Sequence, residues 1–257
     1  MMRPALAFPY NDPDGTMLPH LQSVLPDLKN HFDHAYISPP PSTLERLKQK
    51  NLILTDDFFT VIPVDGDKDV GERFAFVYQR AAETAHPDQP IHLCYPDRMT
   101  FALEGKHKDT FLADIDSLTI DDLPLIFQRS QAAWDTHPQN YRELEGIVTK
   151  VGRNLFGKEL DYAWCHLVVQ AKQLREIVPL TTRPDISMVA EMIYYMQEDI
   201  KTRDVDWLAW EDPFIFNRDA EEFKREREQS LDETNKRLKY VLPMIEMLTR
   251  FSKNGRK

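Results

Sequence analysis

Residues 4–37 read PALAFPYNDPDGTMLPHLQSVLPDLKNHFDHAYI, and this stretch decides the fold class. Residues 4–8 form a short apolar run that ends at a turn signal, Pro-Tyr-Asn-Asp at 9–12. Apolar residues then recur at helical spacing over 17–32, and a second apolar run follows at 35–37. The stretch therefore predicts a strand, a helix and a second strand in that order.

The same alternation continues along the first half of the chain. A helix with a capping-box pattern is predicted to open at 42–45, followed by a strand over 58–64. A helix over 70–85 and a strand over 91–95 come next. Strands that alternate with helices in this way predict a parallel sheet with helical crossovers.

The second half is predicted to be more helical. The expected helices cover residues 108–117, 141–156, 163–178 and 187–197, and a long amphipathic helix runs from Ala220 until Pro243 kinks or divides it. Short strands are expected at 125–127 and 206–210. No repeat and no Gly/Ser linker interrupts the chain, which favours one continuous domain.

The composition excludes several classes of function. Of 257 residues only 8 are glycine, and neither GxxxxGK[ST] nor GxGxxG occurs, so a P-loop and a standard Rossmann site are not expected. The net charge of -10 argues against nucleic acid as a partner. No apolar run is long enough for a membrane span, and the N-terminus lacks a signal-peptide pattern. Cys94 and Cys165 are expected to be buried free thiols, which favours a cytoplasmic location.

Polar residues follow the predicted strands, where open parallel sheets bind their ligands. Arginine suits phosphate and carboxylates suit divalent cations, so this edge of the sheet is the expected binding site. The residues concerned are Pro9, Tyr10, Asn11 and Asp12, then Ser38, then Asp65, Gly66 and Asp67, then Asp97 and Arg98, and finally Gln128, Arg129 and Ser130.

Taken in order, these segments resemble GT-A glycosyltransferases, the nucleotide-diphospho-sugar transferase fold. That fold ends its fourth strand in an Asp-x-Asp motif, and a group of bacterial GT-A-like proteins reads roughly D-F-D-R there. The matching segments are Tyr95-Pro96-Asp97-Arg98, Gln128-Arg129-Ser130, Thr136-His137-Pro138, Glu143-Leu144-Glu145, Asp161, Leu208-Ala209-Trp210-Glu211-Asp212, and Gly71 with Arg73. The resemblance covers roughly residues 4–245.

The resemblance implies an α/β three-layer sandwich with a mostly parallel sheet, a Rossmann-like N-terminal half and a helical C-terminal part. It implies one domain over 1–257, with a nucleotide-binding half to about residue 130, an acceptor-side half over 131–219 and a C-terminal helix over 220–251. The implied activity is transfer of a sugar from a nucleotide-diphospho-sugar donor, with Mn²⁺ or Mg²⁺ on the diphosphate. The C-terminal helix is expected either to pair two copies as a homodimer or to complete the core.

The resemblance also assigns roles to individual residues. Asp97 is the expected metal ligand. The general base that an inverting transferase needs is sought among Asp161, Glu143 and Glu145. Contacts to the sugar nucleotide are expected from Pro9, Tyr10, Asn11, Asp12, Asp65, Gly71, Arg73, Arg98 and Arg129.

Two departures from the family pattern leave an alternative open. Tyr95 replaces the first aspartate of Asp-x-Asp, and Gln128 replaces a glycine before Arg129. With one carboxylate fewer, Arg98 can stabilise diphosphate charge in place of a metal. The alternative function is a catalytically degenerate protein that binds sugar nucleotides or another partner without turnover.

Several candidate residues also have structural interpretations. Glu143 and Glu145 are two positions apart, so at most one can point inward, and either can simply favour the helix dipole. Asp161 can cap the following helix instead of acting as a base. Asp12 can make an Asx turn instead of contacting a nucleotide.

Overall fold

The structure, a computed structural model, describes residues 2–50, 56–66, 68–163 and 166–254. Within them, seven strands form one sheet. The strands are β1 Ala5–Pro9, β2 Ala35–Ser38, β3 Phe59–Val61, β4 Pro90–Leu93, β5 Leu125–Arg129, β6 His166–Gln170 and β7 Lys201–Val205.

Helices flank the sheet along the whole described chain. They are α1 Leu18–Ser23, α2 Leu25–His31, α3 Pro41–Lys50, α4 Val70–Thr84, α5 Pro96–Glu104, α6 Lys108–Asp116, α7 Gln131–Thr136, α8 Gln139–Phe156, α9 Ala171–Ile177, α10 Ser187–Met196, α11 Asp212–Ile215, α12 Ala220–Gln229 and α13 Leu231–Asn254. None of the described helices is long and apolar enough to cross a membrane.

The strand order is β3-β2-β1-β4-β6-β5-β7. The pairs β1–β2, β1–β4, β2–β3 and β5–β7 are parallel, while β6 runs antiparallel to both β4 and β5. The predicted α/β class and mostly parallel sheet are therefore confirmed. The strand ends of β1 and β4 lie at the same edge, which is where the sequence places the candidate site.

The sheet has an apolar core on each face, as its strand pattern requires. In β1, Ala5 and Ala7 face a core built with α4, α8, α10 and α13, whereas Leu6 and Phe8 face a second core built with α1, α2, α5 and α6. Buried β-strands between two helical layers give the three-layer arrangement that the resemblance implied.

The predicted helix over 163–178 is wrong, because its first part is β6. All five β6 residues, HLVVQ, are buried, and the strand pairs with both neighbours. A strand buried on both faces has no polar alternation, so its apolar run is easily mistaken for part of a helix. The helix α9 begins only at Ala171. Cys94 is a buried free thiol as predicted, and Cys165 lies outside the described residues.

Other boundaries also differ from the prediction. Residues 206–210 do not form the expected strand. The strand β7 ends just before them, and its sequence KTRDV is largely exposed and lacks apolar alternation. The C-terminal helix divides at Ser230 and continues through Pro243. Ser230 ends α12 in an extended conformation, and its hydroxyl accepts a hydrogen bond from the Glu233 amide at the start of α13.

Three further differences concern the first half and β5. Residues 17–32 form two short helices, because Pro26 in the first turn of α2 has no amide hydrogen for a continuous helix. The strand over 58–64 is limited to β3. The helices α5 and α7, which follow β4 and β5 directly, were not predicted.

Gly71 allows α4 to approach the segment before α10. Its amide donates to the Pro184 carbonyl at 2.7 Å, and an added Cβ would lie 2.2 Å from the Asp185 carbonyl oxygen. This is a packing role for a residue that the sequence singled out as a ligand contact.

We predict that Gly71→Ala lowers the free energy of unfolding by about 1–3 kcal/mol, because backbone must shift to admit the methyl group. Gly146→Ala is the matched control, since nothing lies within 4 Å of its added Cβ in α8. The control should gain up to about 1 kcal/mol from helix propensity. Urea denaturation of both variants tests this, and a Gly71→Ala protein as stable as the wild type would refute the close approach.

Candidate functional site

A cavity of about 430 Å³ opens at the carboxyl ends of β1 and β4. Pro9 and Asn11 after β1 line it, as do residues 95–98 after β4. The remaining wall comes from the first turn of α4, from α8 and α10, from Glu211 and Asp212, and from α13. A concave site at this edge of an α/β sheet is the expected position of a ligand.

One side of the cavity is acidic. Asp97 in the first turn of α5 shares this wall with Glu211 and Asp212. Burial raises the pKa of Glu211 to about 8, and Asp97 and Asp212 add to the rise while Arg98 opposes it. Burial also raises the pKa of Asp97, again with Asp212 adding to the effect. Carboxyl groups with raised pKa values in a cleft are typical of sites that transfer protons.

Arg98 is held between two buried groups at the base of this wall. Its Nη1 lies 3.1 Å from Glu211 Oε2 and 3.1 Å from His137 Nε2. His137 Nδ1 lies 2.9 Å from the Ala133 carbonyl oxygen, so Nδ1 carries the proton and Nε2 accepts from Arg98. Burial and the nearby arginines hold the pKa of His137 well below its usual range, which keeps the ring neutral.

Three cationic side chains also line the cavity. Arg73 from α4 reaches it while donating to the carbonyls of Lys68 and Gly66 at 2.9 and 3.2 Å. Lys236 and Arg237 reach it from α13. Acidic and basic groups thus line the same space.

Arg129 belongs to a buried ion-pair network that reaches Arg237 of the cavity lining. Its Nε and Nη2 donate to the two carboxylate oxygens of Asp161 at 3.0 and 2.9 Å, and its Nη1 donates to Glu145 Oε2 at 2.6 Å. The guanidinium also stacks on the Trp134 ring, with 3.6 Å to its centroid. Glu145 in turn accepts from Arg237 at 2.8 Å.

This network accounts for two of the three candidate bases. Both Asp161 oxygens are engaged by Arg129. Burial alone would raise the pKa of Glu145, but Arg129 and Arg237 outweigh it and hold the pKa below its ordinary value. Glu143 is exposed on the outer face of α8 and accepts from Gln139 at 2.7 Å, so only one of the pair points inward, as the spacing predicted.

The other predicted ligand contacts divide into two groups. Pro9, Asn11, Arg73 and Arg98 line the cavity together with Asp97. Asp12, Tyr10 and Asp65 do not belong to the lining, and Gly71 packs against 184–185.

Asp12 holds the start of α1 against the loop after β1. Its carboxylate accepts from the Tyr10 hydroxyl at 2.9 Å and from the amides of Met17 and Leu18 at 3.1 and 3.0 Å. It is buried, and these bonds close the loop after β1. They reach amides five and six residues ahead, so the role is structural but is not the Asx turn that was predicted. Asp65 is exposed, and Asp67 lies outside the described residues.

Sequence reasoning missed four charged residues of the cavity wall. Glu211 and Asp212 lie within a segment that the resemblance quoted, yet neither was given a role. Lys236 and Arg237 had no such signal, because charged residues on an amphipathic helix usually face solvent. Only the packing of α13 against α8 and α10 brings them to the cavity.

Among the described residues, no three His, Cys, Asp or Glu side chains are arranged to hold a metal ion by themselves.

No family model matches the chain, and no curated protein matches it. The geometry of the cavity is therefore what bears on function.

We predict that Asp161→Asn lowers the free energy of unfolding by about 3 kcal/mol or more, because it leaves Arg129 buried without its bidentate partner. Glu159→Gln is the matched control, since it breaks an exposed pair with Arg153 at 3.1 Å and should cost at most about 1 kcal/mol. Equal stability of the two variants in chemical denaturation would contradict a structural role for Asp161.

A second prediction concerns the pH dependence of stability. The pKa of Glu211 is raised in the folded state to about 8, so between the unfolded value and 8 the native protein binds the extra proton. The Glu211 contribution to stability should therefore fall as pH rises through this window, by at most about 1.4 kcal/mol per pH unit. Glu211→Gln should remove that slope, matching the wild type near pH 5 and exceeding its stability near pH 9. Thermal melts across pH 5–9 test this, and parallel curves for the two proteins would disprove it.

Proposed function

We propose that this protein is a GT-A-like glycosyltransferase that binds a nucleoside-diphospho-sugar in the strand-end cavity and transfers the sugar to a hydroxyl acceptor. The observation that carries the proposal is the cavity itself. Asp97 and Arg98 follow β4 there, and Arg73, Lys236 and Arg237 line the same space. The ordered motifs that resemble the family lead to the same edge of the sheet.

The chemistry needs two kinds of group in one enclosure. The acceptor oxygen forms a bond to the anomeric carbon while the bond from that carbon to the phosphate oxygen breaks. The electron pair of the broken bond stays on the nucleoside diphosphate, and the acceptor proton passes to a base. Cations that stabilise the leaving charge and a carboxylate near the acceptor are therefore required.

Glu211 is the base that the geometry favours. It is buried on the cavity wall, and its pKa of about 8 lies near physiological pH, where general bases work best. The three bases suggested by sequence are less suited, because Asp161 and Glu145 are paired with arginines and Glu143 is exposed. Arg98 beside Glu211 stabilises the ionised form that accepts the proton.

A divalent cation fits this wall only in part. Asp97 and Asp212 offer two carboxylates, and Mg²⁺ is commonly held by one or two carboxylates together with substrate phosphates. Bound there, Mg²⁺ or Mn²⁺ would neutralise diphosphate charge. Tyr95 takes the position of the missing carboxylate and packs edge-on against Phe74, with 5.5 Å between ring centroids.

A second candidate is a binding protein without turnover on the same fold. The observation that favours it is Tyr95 in place of the first aspartate, since the wall then holds fewer metal ligands. This candidate predicts sugar-nucleotide binding with neither transfer nor hydrolysis of the donor.

A panel of UDP-, GDP- and dTDP-sugars, each with and without Mn²⁺, tests the proposal in thermal-shift and donor-hydrolysis assays. At least one sugar nucleotide should raise the melting temperature and release its nucleoside diphosphate. Asp97→Asn should remove any part of the shift that depends on Mn²⁺, whereas Asp109→Asn, an exposed change in α6, should not.

Glu211→Gln should reduce donor turnover by at least about a hundredfold while binding persists, because it removes the proton acceptor. Binding with no turnover in the wild type would favour the second candidate. No shift with any sugar nucleotide at millimolar concentration would refute both.

A further inference from the structure

Cations without an ion-pair partner among the described residues line part of the cavity. Acidic residues exceed basic ones by ten, so a lysine or arginine has many carboxylates with which to pair. Most described arginines indeed lie within 4 Å of one, including Arg98, Arg129 and Arg237. Cations that face a cavity without such a partner therefore point to an anionic ligand.

Arg73 is one of these cations. Among the described residues it forms no ion pair, and its hydrogen bonds go to two backbone carbonyls in the loop before α4. Those bonds fix the guanidinium at the mouth of the cavity but leave its positive charge uncompensated by any described carboxylate.

Lys236 is the second, one position before Arg237 on α13. No described carboxylate lies within ion-pair distance of Lys236, although it is close enough to Glu233 to help lower the pKa of that group. Arg237 is aligned by its bond to Glu145 and by stacking on Tyr141, with 3.7 Å to the ring centroid. The last helix thus presents two adjacent cations to the cavity.

We propose that Arg73, Lys236 and Arg237 form a diphosphate-binding site that works without a divalent cation. This inference rests on the proposed function, because it assigns the diphosphate of the sugar nucleotide to the α4–α13 side of the cavity. Glu211 and Asp97, which line the same cavity, are then left to interact with the sugar and the acceptor. Arg73 and Lys236 supply the positive charge that a metal ion would otherwise supply, and Arg237, which is paired with Glu145, adds hydrogen-bond donors.

The test is calorimetric titration of the full chain with inorganic pyrophosphate in EDTA. Binding should be measurable without metal and should weaken as salt is raised. Lys236→Gln and Arg73→Gln should each weaken it by about tenfold or more, because each removes a charged hydrogen-bond donor. Lys236 is exposed, so Lys236→Gln should melt like the wild type and separates binding from folding.

Matched controls lie on the same helices. Lys239→Gln on α13 and Arg80→Gln on α4 remove exposed charges that do not line the cavity, and both should bind pyrophosphate normally. UDP, GDP, dTDP and geranyl diphosphate are each added as competitors of bound pyrophosphate, and their relative strengths identify the class of diphosphate that the site takes. A nucleotide should compete better than the lipid, and the reverse order would overturn the assignment to a sugar nucleotide.

The outcomes separate this inference from the proposed function. Pyrophosphate binding that disappears in EDTA, or that is unchanged in both Lys236→Gln and Arg73→Gln, overturns the metal-independent site and leaves the transferase open to its own test. Metal-free binding that depends on these residues, with no sugar nucleotide bound or hydrolysed, sustains the site and refutes the transferase.

Discussion

The buried guanidinium of Arg129 joins parts of the chain that are far apart in sequence. It stands at the end of β5 and bridges Asp161, before β6, to Glu145 in α8. Glu145 also forms an ion pair with Arg237 in α13. Removing a charge from water is costly unless partners replace the hydration, so every member of the network constrains the others. The cavity keeps its shape because its wall residue Glu145 is a member.

The network also explains why the two sides of the cavity differ in charge. On the α13 side, Glu145 is neutralised by Arg129 and Arg237, so it contributes little net negative charge. Elsewhere on the lining, Asp97 and Glu211 have chiefly Arg98 to balance them, and both carboxyls have raised pKa values, whereas Asp212 lies 3.7 Å from Arg227. The positions of arginines thus decide which carboxylates can exchange protons.

Local patterns predicted most of the fold but only part of the site. Apolar runs bounded by turn signals located β1, β2 and β4, and helical spacing located α4. They failed at β6, which continues directly into α9, and at β7, which is exposed and lacks apolar alternation. Asp97 and Arg98 were found because they follow a strand, and that position predicts a site.

The remaining site residues depend on packing that no local pattern encodes. Lys236 and Arg237 belong to an ordinary charged helix until α13 meets α8. Conversely, Asp161 and Arg129 lie in segments that were singled out by resemblance, but they bind each other, and the sequence did not indicate that these two side chains are only 2.9 Å apart. Spacing indicates which side chains share a helix face, whereas partners across the fold are known only from the assembled structure.

The antiparallel strand β6 has a consequence for how the protein folds. It lies between β4 and β5, so β5 and β7 connect to the rest of the sheet only through it. Without β6, the strands β3, β2, β1 and β4 would be separated from β5 and β7, and each part would have an unpaired strand edge. The pairing of β6 with β4 and β5 joins residues that are distant along the chain, and contacts of this kind slow folding. A substitution that weakens β6 would therefore expose two strand edges at once.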